Sequence, residues 1–215
     1  MRNKIFNSLF TSLIFTLYML INIANAGVIT LNNNTEISTL TLSSSFTGFY
    51  SYGTPNTASA NTGLEEEGNA IMFLAEYSGE LAFFTLLDAP GVAHPLRSLN
   101  MTLSDFNLSD VVLVDDSKEG TSSGFSWRWV SCCTDGMIYK ISNKDDFNID
   151  ITFSDIVGIN SFKFLSFTDQ FITPEIIIVD SSFSIQATPV PEPAVLAIYA
   201  LGLIGLGLRR YNKSA

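Results

Sequence analysis

The chain has 215 residues and a formal net charge of −10, a length that fits one domain plus targeting segments. Arg2, Lys4, Arg209, Arg210 and Lys213 supply five of the eleven basic residues, and Glu192 is the one acid outside residues 27–190, so that 164-residue stretch carries 20 acidic against 6 basic side chains, near −14. An acidic body argues against a nucleic-acid partner, since phosphate binding needs clustered Lys and Arg, and its many aromatic residues argue against disorder.

Residues 1–26 read as a secretory signal peptide, a signal helix. Arg2 and Lys4 form a positive start, an apolar stretch runs from about Leu9 to Ile23, and Ala24-Asn25-Ala26 supplies the small-x-small pattern that signal peptidase needs. The expected cut follows Ala26; the alternative is an uncleaved anchor helix. No Cys follows the cut, so lipoprotein acylation has no acceptor there.

Residues 27–188 read as one β-rich domain. Strand signals fall at 28–31, 36–42 and 46–52. Residues 53–68, polar and rich in Asn, Thr and Ala, read as a long surface loop of the kind that carries binding. The apolar runs 70–77 and 81–87 flank Ser78-Gly79-Glu80 and predict a hairpin. Runs of β-branched residues at 111–114 and 176–179 suggest central strands. Phe125, Trp127 and Trp129 alternate with polar neighbours, as do Ile149, Ile151 and Phe153, and Phe183, Ile185 and Ala187. That period places one set of side chains on a buried face. Further strands are expected at 137–141 and 161–167. With no long amphipathic helix in the body, the pattern predicts an all-β fold, an antiparallel β-sandwich of jelly-roll-like type.

The tail 189–215 has a composition of its own. Pro189-Val190-Pro191-Glu192-Pro193 cannot continue a helix or strand, because proline lacks the N–H and fixes its φ. Residues 194–208 then hold no charge, and Arg209, Arg210 and Lys213 follow. As a helix the apolar part is roughly 22 Å long, short for a transmembrane helix, with snorkelling arginines and local thinning to close the gap. The basic cluster stays cytoplasmic by the positive-inside rule and leaves the body outside.

This tail resembles the PEP-CTERM sorting signal: Pro191, Glu192 and Pro193 as the proline-bracketed acid, 194–208 as the short Gly/Leu-rich helix, Arg209 and Arg210 as the terminal arginines. The alternative is an ordinary tail anchor after a proline-rich linker. The resemblance implies that an exosortase, a membrane cysteine protease of transpeptidase type, recognises the tail and cuts near Pro-Glu-Pro. It also implies passage through the inner membrane and a final place at the cell surface or in an extracellular polysaccharide matrix.

The chemistry legible in the body is sparse. Cys132 and Cys133 are the two cysteines, and in an oxidising compartment they pair with each other or with another chain. The run Cys-Cys-Thr-Asp-Gly resembles segments of other PEP-CTERM proteins and has no known role. It reads either as a rigid ring that stacks on a sugar, with Trp127, Trp129 and Asp135 as ligand contacts, or as a stapled turn with both tryptophans in the core. Zinc does not fit adjacent cysteines with the one histidine, His94, far away in sequence. Acidic residues gather at Asp105, Asp110, Asp115 and Asp116, at Asp145, Asp146 and Asp150, and at 65–67. They match no EF-hand or nonapeptide repeat, so no cofactor is identified and calcium stays open. No Gly-x-Ser-x-Gly elbow accompanies His94. The expected function is a non-enzymatic structural or glycan-binding component; the alternative is a surface glycoside hydrolase or lyase with two carboxylates in a groove.

Overall fold

The computed structural model describes residues 28–53, 59–91, 95–116, 118–130, 133–168 and 174–189. The expected signal peptide and the apolar sorting helix lie outside these residues, as does His94. Among the described residues no helix is long and apolar enough to cross a membrane.

Residues 27–188 form one compact unit, in which the described residues make thirteen strands. They are β1 (Val28–Leu31), β2 (Thr35–Glu36), β3 (Leu40–Thr41), β4 (Asn69–Tyr77), β5 (Glu80–Leu87), β6 (Arg97–Leu103), β7 (Val111–Val114), β8 (Gly124–Trp129), β9 (Asp135–Ile141), β10 (Phe147–Val157), β11 (Ser161–Ser166), β12 (Glu175–Val179) and β13 (Ser182–Thr188). One short helix, α1 (Phe46–Tyr50), precedes β4, and a 3-10 turn, Leu108–Asp110, leads into β7.

The strands form two sheets. The first has the order β2-β1-β13-β10-β6-β8 and is antiparallel throughout. The second runs β12-β11-β4-β5-β9-β7, with β3 added beside β4. It departs from the expected antiparallel pattern at two places, because β11 and β3 both pair with β4 in parallel. The chain alternates between the sheets from β5 to β11, so most neighbours in a sheet are far apart in sequence.

The sheets pack face to face. Phe153 of β10 stacks on Phe162 of β11 at 4.6 Å, and Phe164 of β11 meets Phe183 of β13 edge-on at 6.3 Å. One apolar cluster takes Leu99, Met101, Trp127 and Ile151 from the first sheet and Met72, Phe83 and Met137 from the second. A second cluster lies on the other face of the second sheet, where Phe46 and Tyr50 of α1 cover Ile71, Phe73, Phe84 and Ile138. The second sheet is therefore covered on both sides. This explains why β4 and β5 read as unbroken apolar runs, whereas β8, with one face in solvent, alternates.

Several expected elements change. Residues 46–52 are not a strand: Ser45 caps a helix by accepting from the Gly48 amide at 3.1 Å, and Phe46 and Tyr50, four apart, bury on one side. Residues 36–42 divide between β2 and β3. The β-branched runs form edges, not centres. β7 and β12 close the two ends of the second sheet, and Ile176 and Ile178 of β12 stay exposed. β6 carries no strong β signal, yet it is an interior strand of the first sheet, between β10 and β8. The hairpin is tighter than expected: Tyr77 pairs with Glu80, leaving Ser78 and Gly79 at φ 53° and 83° as a two-residue turn.

A buried ion pair ties the two sheets. Asp88, at the end of β5, accepts from the Gly68 and Ala89 amides at 2.8 and 2.9 Å and from Trp129 Nε1 at 3.2 Å. Its second oxygen also pairs with Arg97 of β6. Both partners are buried. Removing the cation leaves an uncompensated charge, which costs about 3–5 kcal/mol. Arg97→Ala is therefore expected to lower Tm by roughly 10 °C, and the exposed Arg128→Ala to leave it nearly unchanged. Scanning calorimetry of both variants checks this, and equal melting temperatures contradict it.

Candidate functional site

Three carboxylates are buried at one end of the second sheet: Asp115 just after β7, Asp135 at the start of β9, and Glu119 in the segment leading to β8. Backbone pairing brings them together. The Asp115 amide donates to the Gly136 carbonyl at 3.2 Å, which sets Asp115 across from the Asp135-Gly136 step. The Glu119 amide donates to the Asp116 carbonyl at 3.0 Å, and Glu119 Oε2 accepts from the Asp116 amide at 3.2 Å. The Ser126 amide then donates to the Glu119 carbonyl at 2.8 Å and fixes this segment on β8. Asp116 itself is exposed.

Tyr50, at the end of α1, roofs this corner. Its ring is fully buried and its hydroxyl stands over Gly136. A Cβ on residue 136 would lie 2.6 Å from that hydroxyl and closer still to the Thr85 carbonyl oxygen, so the close approach requires glycine. The loop after α1 also closes on this site. The Thr134 amide donates to Ser59 Oγ and the Ala60 amide to Thr134 Oγ1, both at 3.1 Å, with Ser59, Ala60 and Thr134 all buried. The described part of the expected surface loop is thus a cover over the second sheet.

The electrostatics of this corner are unusual. Asp115 Oδ1 and Oδ2, Asp135 Oδ2 and the Tyr50 hydroxyl are buried with no hydrogen-bond partner of normal geometry. None of the three ion pairs among the described residues includes these acids. Burial, then the charges of Asp135 and Asp116, push Asp115 up to about 8, although the facing Tyr50 hydroxyl opposes the shift. Burial and the Asp135 charge likewise push Glu119 up to about 8, and burial with the Asp116 charge pushes Asp135 up to about 7. Tyr50 is raised well above its usual value, first by burial and then by Asp115. As the side chains stand, no three His, Cys, Asp or Glu residues among the described residues form a metal-holding group.

The residues singled out from the sequence separate in the fold. Asp135 belongs to this corner. Trp127 and Trp129 lie in the core between the sheets, 1 % and 4 % exposed. That corrects their reading as ligand contacts: the indole of Trp127 stacks on Phe125, and that of Trp129 donates to Asp88, so neither offers a face to a sugar. Cys133 is disulfide-bonded; Cys132, the other cysteine of the chain, lies outside the described residues. Asp105, Asp110, Asp146 and Asp150 line a separate open depression with Asn143 and Gln186. Glu119 and Tyr50 were not marked by the sequence. The spacing Asp116-x-x-Glu119, in which the Glu119 side chain reaches back to the Asp116 amide as in half of a capping box, was the available local signal.

The acidic corner makes the fold sensitive to pH. All three folded-state values lie above those of an unfolded chain, so the folded state keeps protons that the unfolded state has released. The stabilisation is complete below about pH 4 and is lost as pH rises through about 7 to 8. In metal-free buffer, Asp115→Asn, neutral at every pH, should therefore gain stability over the wild type as pH rises from about 5 to about 8. Paired thermal melts across that range check this; a constant difference contradicts it.

Comparison with known proteins bears on the tail. The family model described as the PEP-CTERM protein-sorting motif matches residues 189–210. That stretch contains Pro191, Glu192, Pro193, Arg209 and Arg210, which lie outside the described residues. No curated protein and no solved structure matches the chain.

Proposed function

From the premise that a chain carrying a PEP-CTERM protein-sorting motif is an exported protein sorted by an exosortase, we propose that this one is a non-enzymatic component of the cell surface or the extracellular polysaccharide matrix. In this reading residues 1–26 are removed by signal peptidase. The apolar segment 194–208 holds the precursor in the inner membrane until the exosortase acts near Pro191-Glu192-Pro193. The β-rich body is then released or displayed outside the cell.

The sorting motif is the observation that carries the reading. Two features of the body support a structural part over a sugar-stacking one. Both tryptophans are committed to the core, and carbohydrate recognition by stacking needs an exposed aromatic face. The net negative body also suits a soluble matrix component beside neutral glycans. The open depression around Asp105, Asp110, Asn143 and Gln186 offers the acceptors and amides that would engage sugar hydroxyls, so glycan contact, if made, belongs there.

Fractionation of the native host, with and without its exosortase, tests the reading. The body is expected at the surface or in the medium of the intact strain, and in the inner membrane, at higher mass, when the enzyme is missing. The same location and mass in both strains would overturn it, as would activity on the host's own polysaccharide.

A further inference from the structure

We propose that Asp115, Glu119 and Asp135 are the ligands of a calcium ion, held at the end of the second sheet beneath Tyr50. The argument starts from a contrast inside the molecule. The buried Asp88 carboxylate has a cation, Arg97, and three N–H donors. Asp115, Glu119 and Asp135 are buried too, at 9 %, 8 % and 5 % exposure, and no Lys, Arg or His pairs with them among the described residues. One oxygen of Asp135 has no donor, and Asp115 is faced only by the Tyr50 hydroxyl, outside normal hydrogen-bond geometry. A buried carboxylate without donor or cation is one of the costliest groups a fold can carry. Three of them on adjoining segments make a site whose missing member is positive.

The donor set selects the ion. Every side chain offered is a carboxylate or a phenol, which suits hard cations and disfavours zinc or copper. The exposed Asp116 adds negative charge at the mouth. Magnesium demands near-ideal octahedral geometry, whereas calcium accepts six to eight oxygens in irregular arrangements and tolerates backbone carbonyls among them. That tolerance matters, because the three carboxylates do not converge ready-made. Binding releases Glu119 Oε2 from the Asp116 amide, its one described side-chain partner, and turns it toward the oxygens of Asp115 and Asp135. The site takes its ion outside the cell, where calcium modules work with Kd of roughly 10⁻⁴–10⁻³ M.

The test uses the full chain, purified in detergent and stripped with chelator. Equilibrium dialysis with radioactive calcium is expected to show one ion per chain. About 2 mM calcium is expected to raise Tm by roughly 3–6 °C, and the same concentration of magnesium to raise it far less. Glu119→Gln and Asp115→Asn are each expected to weaken calcium binding at least about tenfold, while Glu67→Gln, on the exposed loop before β4, leaves it unchanged. If either variant fails to fold, the dialysis and the calcium-dependent Tm of the wild type decide alone. No bound calcium at about 5 mM, equal affinity in Glu119→Gln, or an equal response to magnesium would overturn the proposal. The first of these results would mean that protons alone neutralise the corner. These outcomes are independent of where the exosortase sends the protein.

Discussion

The fold depends on a single buried charge being met from every side. Asp88 stands where the chain leaves the second sheet, in a left-handed turn at φ 72° that points its carboxylate inward. There it collects the Gly68 and Ala89 amides, the Trp129 indole and the Arg97 guanidinium. The first two donors lock the loop entering β4 to the end of β5. The last two lie opposite each other on β8 and β6, so the same carboxylate clamps the first sheet. Arg97 in turn packs its stem over Gly158, beyond the end of β10, where a side chain would collide with it. Apolar burial drives the sheets together without direction; this polar knot chooses their relative position, because any slip would strand a buried charge.

The acidic corner follows from that placement. Leu87, the residue before Asp88, pairs with Asp135, so the knot also sets the height at which β9 begins. β9 then fixes Asp115 through the Gly136 carbonyl, and Gly136 admits the Tyr50 hydroxyl. One end of the second sheet thus holds two kinds of buried acid within a few residues of each other. One is satisfied by the chain itself and is structural. The other has no cation of its own among the described residues, and burial raises its proton affinity.

How much of this the sequence revealed depends on the range of the interaction involved. Where burial is one-sided, alternation reported it directly: Phe125, Trp127 and Trp129 on β8, and Ile149, Ile151 and Phe153 on β10, all face the core as their period required. The parallel pairings of β4 were invisible, since they join residues 35 apart to β3 and 92 apart to β11 and leave no local trace. The edge positions of β7 and β12 were hidden for a related reason: β-branched residues report extended backbone and say nothing of how many neighbours a strand has. Residues 46–52 misled because aromatics favour strands in general, while the Ser45 cap and the four-residue spacing of Phe46 and Tyr50 decided locally for helix. Of the acidic corner, Asp135 stood out through its Cys-Cys-Thr-Asp-Gly run, and Asp115 and Asp116 only as charges flanking a strand. Glu119 and Tyr50 acquire their meaning from tertiary placement alone.

That run of five residues can now be understood as a junction. Thr134 closes the loop over the second sheet through Ser59 and Ala60. Asp135 supplies a buried carboxylate, and Gly136 removes the side chain that would push Tyr50 away. Each position does a different job. Thr brings a short hydroxyl that both accepts and packs, Asp an acid on a short stem, and Gly an absent Cβ. A disulfide at Cys133 stiffens the entry to this segment, limiting the freedom of the backbone just before the three positions that must be held most closely. A sugar-stacking role would need the neighbouring tryptophans at the surface, whereas a junction needs them in the core, as Trp127 and Trp129 are. Thr134, Asp135 and Gly136 are therefore parts of the architecture that buries the acids.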